Sequence, residues 1–160
     1  MISAQDLVEK ILARSTTDDC IVVVKDSTQA NLRWASSTLT TNGVIQERSV
    51  TVIAFVAVGG SMASGGVTRT NIDESDIDSV LSEAKAAAIA AGAAEDFAPL
   101  AKDVSFGNWN ASHTPTGPDV FSTFAPDLGE MMHRSKSDAI ELFGYAEHTH
   151  ETLWVGSKGG

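Results

Sequence analysis

Two histidines near the end of the chain have the spacing most suggestive of chemistry. His148 and His150 alternate along Tyr145 to Val155, which reads as a strand, so both imidazoles lie on one face. Glu147, Thr149 and Glu151 project the other way. A pair of imidazoles at i and i+2 can share a zinc ion, but a stable site needs three or four ligands. His113 or His133 would have to complete it from elsewhere in the fold. Neither an H-E-x-x-H helix nor a C-x-x-C pair occurs. The segment Gly129-Glu130-Met131-Met132-His133 lacks the paired histidines of a metalloprotease helix. Ordinary strand surface and a solvent-facing His133 are the better readings.

Other chemical readings are weaker still. Gly59-Gly60-Ser61-Met62-Ala63-Ser64-Gly65-Gly66 has a phosphate-loop composition, but it lacks the Walker lysine and runs into a strand instead of a helix N-terminus. It reads as a hairpin connection. Ser36, Ser37 and Thr38 have no histidine at a motif distance, and an unactivated hydroxyl is a poor nucleophile. Asp18-Asp19 and the Glu74/Asp76 pair sit at helix ends, where capping accounts for them. Arg33, Arg48 and Arg69 could orient a carboxylate, although surface placement suffices for each. No catalytic, cofactor-binding or metal residue is assigned.

The elements that would carry these residues are clearer. Ser3 opens a helix with Asp6 three residues on and Ile2 as a staple, and Leu7, Val8, Ile11 and Leu12 form its stripe to about Ser15. Cys20 to Lys25 is a β-branched strand, Asp26-Ser27-Thr28-Gln29 a turn, and Ala30 to Ser36 a second strand. Asn42-Gly43 is a hairpin signal between Thr38–Thr41 and Val44–Arg48. Val50 to Val58 is apolar on both faces, which implies cover on both sides. The small residues after Gly59-Gly60 suit close packing. Asp73 or Ser75 caps a helix through about Ala91, with Ile77, Val80, Leu81, Ala84, Ala87 and Ala88 inward and Gly92 as the stop. Pro126 opens a third helix, predicted to reach Phe143, with Leu128, Met131, Met132, Ala139, Leu142 and Phe143 on its apolar side. A last strand follows. The order predicts an α+β fold: a mostly antiparallel or mixed sheet with helices packed on it in two layers. Residues 1–95 form the core, 96–125 a long irregular connection, and 126–160 a helix and final strand.

Bulk properties narrow the function. The chain has 160 residues, 42% hydrophobic, and a formal net charge of −10, enough for a core and opposed to a nucleic-acid groove or an anionic membrane surface. The first residues make a poor signal peptide, because Asp6, Glu9 and Lys10 interrupt any apolar run. The lone Cys20 reads as a small buried hydrophobe and fits a reducing cytoplasm.

The succession Ile21-Val22-Val23-Val24, Leu32-Arg33-Trp34-Ala35, Thr40-Thr41-Asn42-Gly43, Val50 to Val58, Gly65-Gly66 and the helix after Asp73 resembles the N-terminal domain of the TldD/PmbA (TldD/TldE) family, especially its actinobacterial members. Leu142-Phe143-Gly144-Tyr145-Ala146-Glu147-His148 and Glu151-Thr152-Leu153-Trp154-Val155-Gly156-Ser157 resemble the stretch leading toward that family's C-terminal domain. The resemblance implies the non-catalytic N-terminal part of a cytoplasmic zinc metallopeptidase assembly, serving in subunit contact or peptide guidance. It implies a partner subunit of the same family, in a homo- or hetero-oligomer, and a peptide substrate. Zinc is expected only in the C-terminal half of a catalytic parent, whose histidine-glutamate helix and later cysteine match no position here. The chain is then a domain, a fragment or a shortened member, inactive by itself. Some members are named modulators of DNA gyrase, so a small regulator of gyrase without enzymatic activity is the alternative.

Overall fold

The computed structural model describes residues 2–101 and 107–159. It is an α+β fold with the element order α1 (Ala4–Arg14), β1 (Asp19–Ala35), β2 (Thr38–Val58), β3 (Ser61–Thr70), α2 (Ile77–Ala91), α3 (Ala125–Ser137) and β4 (Gly144–Ser157). The sheet is antiparallel with strand order β3-β2-β1-β4, so β3 and β4 are its edges. The chain divides into two units. The first comprises Met1–Asp26, Arg48–Ser112 and Thr152–Gly160, and the second Ser27–Glu47 and His113–Glu151.

The first unit holds the larger core. Ser3 caps α1 by accepting from the Asp6 N–H at 3.0 Å, and Leu7, Val8 and Ile11 are fully buried along the predicted stripe. They meet Cys20, Val22 and Val24 of β1, Val50, Val52 and Ala54 of β2, and Trp154 of β4. On α2 the buried residues are Ile77, Val80, Ala84 and Ala88. A short 3-10 turn at Glu74–Asp76 precedes α2, capped by Asp73 in a reciprocal box with Asp76. Gly92, at φ 75°, ends the helix.

Alanine and glycine set the spacing of α2 on the sheet. Ala54 pairs with Gly65 across β2 and β3. A Cβ on Gly65 would come within 2.1 Å of the Ala88 backbone nitrogen. The small-residue segment is therefore a seat for α2, and Gly59-Gly60, with φ of 59° and 86°, forms the two-residue hairpin that delivers it. The far face of β2 is less enclosed than predicted. Thr51, Ile53 and Phe55 are half-buried where the core-facing Val50, Val52 and Ala54 are fully inside.

Beneath α1, the Arg48 guanidinium grips Asp26 bidentately at 2.5 and 2.7 Å and donates to the Ile2 carbonyl at 2.7 Å. The Asp26 hydrogen bond raises the Arg48 pKa further above its ordinary value. On the surface, Glu74 receives Lys10 at 2.5 Å and Arg14 at 2.8 Å, and those cations lower its pKa.

The second unit has a small core of Ala30, Leu32 and Phe121, with Phe124, Leu128 and Ala146 against it. Phe121 and Phe124 stack edge to face at 5.6 Å. Its buried polar residues include Thr28, Ser37 and Ser135.

Three predicted elements are corrected here. Asp26–Gln29 is not a turn; β1 runs unbroken from Asp19 to Ala35. Its polar side chains are satisfied without leaving the strand, Asp26 by Arg48 and Thr28 by a 2.6 Å bond to His113 Nε2. Asn42-Gly43 is not the hairpin turn either; β2 continues through it, and the chain reverses at Ser36-Ser37, with φ of 46° and 57°. Those left-handed angles cost a serine some strain. Ser37 offsets it through its N–H to the Leu142 carbonyl at 3.0 Å, the Leu142 N–H to its Oγ at 3.1 Å, and the Ser135 hydroxyl donating to Oγ at 2.7 Å. The same network ends α3 at Ser137, short of Phe143. Residues 140–142 are tied to Ser37, so the chain leaves the helix through Ala139 at φ 52°. The predicted apolar side of α3 is accordingly not a core face. Leu128 packs inward, whereas Met131 and Phe143 are exposed, and Ser135 is the buried residue of the helix.

Candidate functional site

The predicted histidines fall in the second unit. His113 and His150 stand with ring centroids 5.3 Å apart and planes tilted by 41°. His113 Nε2 is bonded to Thr28 Oγ1 at 2.6 Å, and His148 Nδ1 to Thr116 Oγ1 at 2.8 Å. His133 lies exposed on α3. Among the described residues no group of three or more His, Cys, Asp or Glu is placed to hold a metal ion. The imidazoles thus do not fit the zinc set a peptidase needs. Tyr145 donates to Glu147 on this strand, an exposed pair that raises the phenol pKa and lowers the carboxylate pKa.

The remaining candidates make contacts within the fold. Ser36 and Ser37 make the β1–β2 turn, and Thr38 starts β2. Arg48 is held by Asp26, and Arg69 pairs with Glu83 on α2. Asp18 accepts from the Ala57 N–H at 2.8 Å, and Asp19 from the Cys20 N–H at 2.7 Å. Cys20 is buried, and burial raises its thiol pKa.

One feature among the described residues with room for another molecule is a groove in the first unit, of about 810 Å³. Its walls come from Val8, Glu9 and Leu12 of α1, Ile21 of β1, Leu153, Trp154, Val155, Gly156 and Ser157 of β4, and the connecting residues Leu100, Ala101, Gly107, Asn108 and Trp109. Gln5 on α1 holds this connection by donating Nε2 to the carbonyls of Trp109 and Ala111, at 3.1 and 3.2 Å. Gly156 lets α1 sit close, since a Cβ there would meet Val8 Cγ1 at 2.6 Å. Leu153 and Val155 lie on the exposed face of β4, while Trp154 belongs to the core, so the groove takes in residues from both faces of a strand that, among the described residues, ends the sheet. The unused signal was Leu153-Trp154-Val155, apolar on both faces of a terminal strand.

Against known structures, TldE from Thermococcus kodakarensis matches 98% of this chain and 35% of its own, with a TM-score of 0.68 at 12% identity. This chain adopts the fold of a segment of TldE. A candidate modulator of a DNA gyrase from Thermotoga maritima matches over 99% of this chain and 36% of its own, with a TM-score of 0.58 at 8% identity. The chain spans about a third of the length of these two proteins. No family model and no curated protein matches the sequence. At such identities the likeness to TldE is one of fold. Among the described residues, no helix is long and apolar enough to cross a membrane.

Proposed function

We propose that this chain is a non-catalytic domain of a TldD/TldE-type zinc metallopeptidase assembly, acting in the cytoplasm through subunit contact or peptide guidance. The observation that carries the reading is the TldE fold over 98% of the chain. The place of β4 at the end of the sheet, among the described residues, supports the role, because an edge strand presents backbone groups to which another chain can add. Any zinc chemistry would be supplied by a catalytic partner, whose bound metal polarises a peptide carbonyl and activates water. This chain's contribution would be to bind and orient.

The experiment is to mix the chain with a purified TldD-like catalytic subunit and follow co-elution and peptide cleavage. A stable complex with altered cleavage is expected. Two proteins that elute separately at micromolar concentration, with cleavage unchanged, would refute the reading. The second reading, a regulator of DNA gyrase, draws on the description of the Thermotoga maritima protein. The dispersed acidic residues give it no DNA-like charge ladder. Direct binding to purified gyrase, with no binding to a TldD-like subunit, would favour it.

A further inference from the structure

We propose that His113 and His150, joined by His148, take one divalent transition-metal ion, which fastens the segment around His113 to β4. The site is separate from the peptidase reading: it binds an ion and is assigned no hydrolysis.

All three histidines belong to the second unit. Strand alternation puts His148 and His150 on one face of β4, with Cα atoms about 7 Å apart. The fold adds a ring from a distant segment. His113 stands 5.3 Å from His150, centroid to centroid, with the planes tilted by 41°. Two imidazoles on one tetrahedral ion, with metal–nitrogen bonds of about 2.0–2.1 Å, have ring centres about 5 Å apart. Plain ring packing gives a similar separation, so the outer partners of the rings decide the reading. Imidazoles that ligate a metal are oriented through their second nitrogen by a hydrogen bond. His113 has such a partner at Nε2, Thr28 Oγ1 at 2.6 Å, and Thr28 is 2% exposed. His148 has one at Nδ1, Thr116 Oγ1 at 2.8 Å. The metal is then taken at Nδ1 of His113 and at Nε2 of His148.

As placed, the three rings do not converge, since no group of three His, Cys, Asp or Glu among the described residues is set to hold an ion. His148 and His150 are exposed, so rotation about their side-chain bonds can close the set without moving the backbone. Water fills the remaining position. Neutral nitrogen ligands favour zinc, nickel or copper over magnesium and calcium, which take oxygen. Glu147, bonded to Tyr145 on the opposite face of the strand, does not compete for the ion. A chain net charge of −10 draws cations toward the protein. The second unit also gains from a clamp. Its buried apolar core is Ala30, Leu32 and Phe121, and an ion that binds only the folded form stabilises it by mass action.

The test uses the intact chain, stripped of metal with a chelator, and zinc chloride. Calorimetry should show saturable binding of a single ion. His150→Ala, at an exposed strand position, should weaken it at least about tenfold, and His113→Ala should do the same. Thr28→Val keeps the β-branched shape and removes only the hydroxyl; it should weaken binding about tenfold through the orientation of His113. His148→Ala should weaken it by a smaller factor, and His133→Ala, on α3, should leave it unchanged. In histidine side-chain NMR, zinc should shift His113 and His150 and spare His133. Zinc should raise the unfolding temperature of the wild type and not that of His150→Ala, and magnesium should raise neither. Circular dichroism establishes that the variants are folded, and His150→Ala carries the test if a substitution at His113 or Thr28 unfolds the chain. Absence of saturable binding up to millimolar zinc would overturn the proposal. So would zinc binding that survives both His150→Ala and His113→Ala, as scattered surface carboxylates would give. Complex formation with a catalytic subunit is read separately, so either result can fail while the other stands.

Discussion

The two units are held together by different physics. In the first, α1 and α2 bury a continuous set of aliphatic side chains, down to the Gly65 seat where backbone meets backbone. In the second, few apolar residues are buried and hydroxyl groups do much of the joining: Thr28 to His113, and Ser135 to Ser37 to Leu142. Close packing is sensitive to volume, whereas a hydroxyl network is sensitive to the loss of single polar atoms. The contrast predicts where each unit breaks.

The largest effect should come at Gly65. Gly65→Ala forces a methyl group into the α2 backbone and should cost about 3 kcal/mol or more, since no side chain can swing aside. Urea unfolding would measure it; a loss below about 1 kcal/mol would mean that α2 sits less tightly than the structure has it. Next comes Leu7→Ala, which empties a fully buried site and should cost about 3 kcal/mol. Leu32→Ala, in the smaller core and 7% exposed, should cost less, about 2 kcal/mol. Equal losses would erase the distinction between the units. Native-state amide exchange sharpens the same comparison: β1 amides near Val22 and Val24 should exchange more slowly than those near Ala30 and Leu32.

Smaller again is Ser37→Ala. It leaves the Leu142 N–H without its acceptor and the Ser135 hydroxyl with the Met132 carbonyl alone, at 2.9 Å, and should cost about 1–2 kcal/mol. It should also raise exchange at residues 135–142 selectively. The smallest effect concerns Cys20, whose thiol pKa is raised in the fold. Above about pH 8.5 the unfolded thiol loses its proton while the folded one keeps it, so the unfolded state binds fewer protons and stability falls as pH rises. Below that range the group contributes no slope. Stability measured from pH 7 to 10 should therefore decline less steeply in Cys20→Ala, whatever its absolute level, and native Cys20 should resist thiol reagents.

The same contrast governs what could be read from the sequence. Periodic apolar residues announced α1, α2 and the β2–β3 hairpin, because burial of one stripe decides those elements. The resemblance to the TldD/TldE family, read from motif order, agrees with the fold the chain shares with TldE. Legibility failed in the second unit. Asn42-Gly43 is the stronger local turn signal, yet Ser36-Ser37 turns the chain, because Ser37 is fixed by residues about a hundred positions away. Likewise α3 stops at Ser137 because those long-range bonds capture residues 140–142, which no local propensity records. The histidine alternation was legible as a shared face, whereas the bonds to Thr28 and Thr116 were not. The groove escaped notice because it needs β4 at an edge, and strand order is not a local property.

The proposed role, contact and orientation in a peptidase assembly whose chemistry resides elsewhere, has a direct test. The direct measurement is hydrolysis of an unfolded peptide by the pure chain, with and without added zinc. No cleavage above the zinc-only rate is expected, in the wild type and in His148→Ala and His150→Ala alike. Zinc-dependent turnover that disappears in either histidine variant would contradict the account.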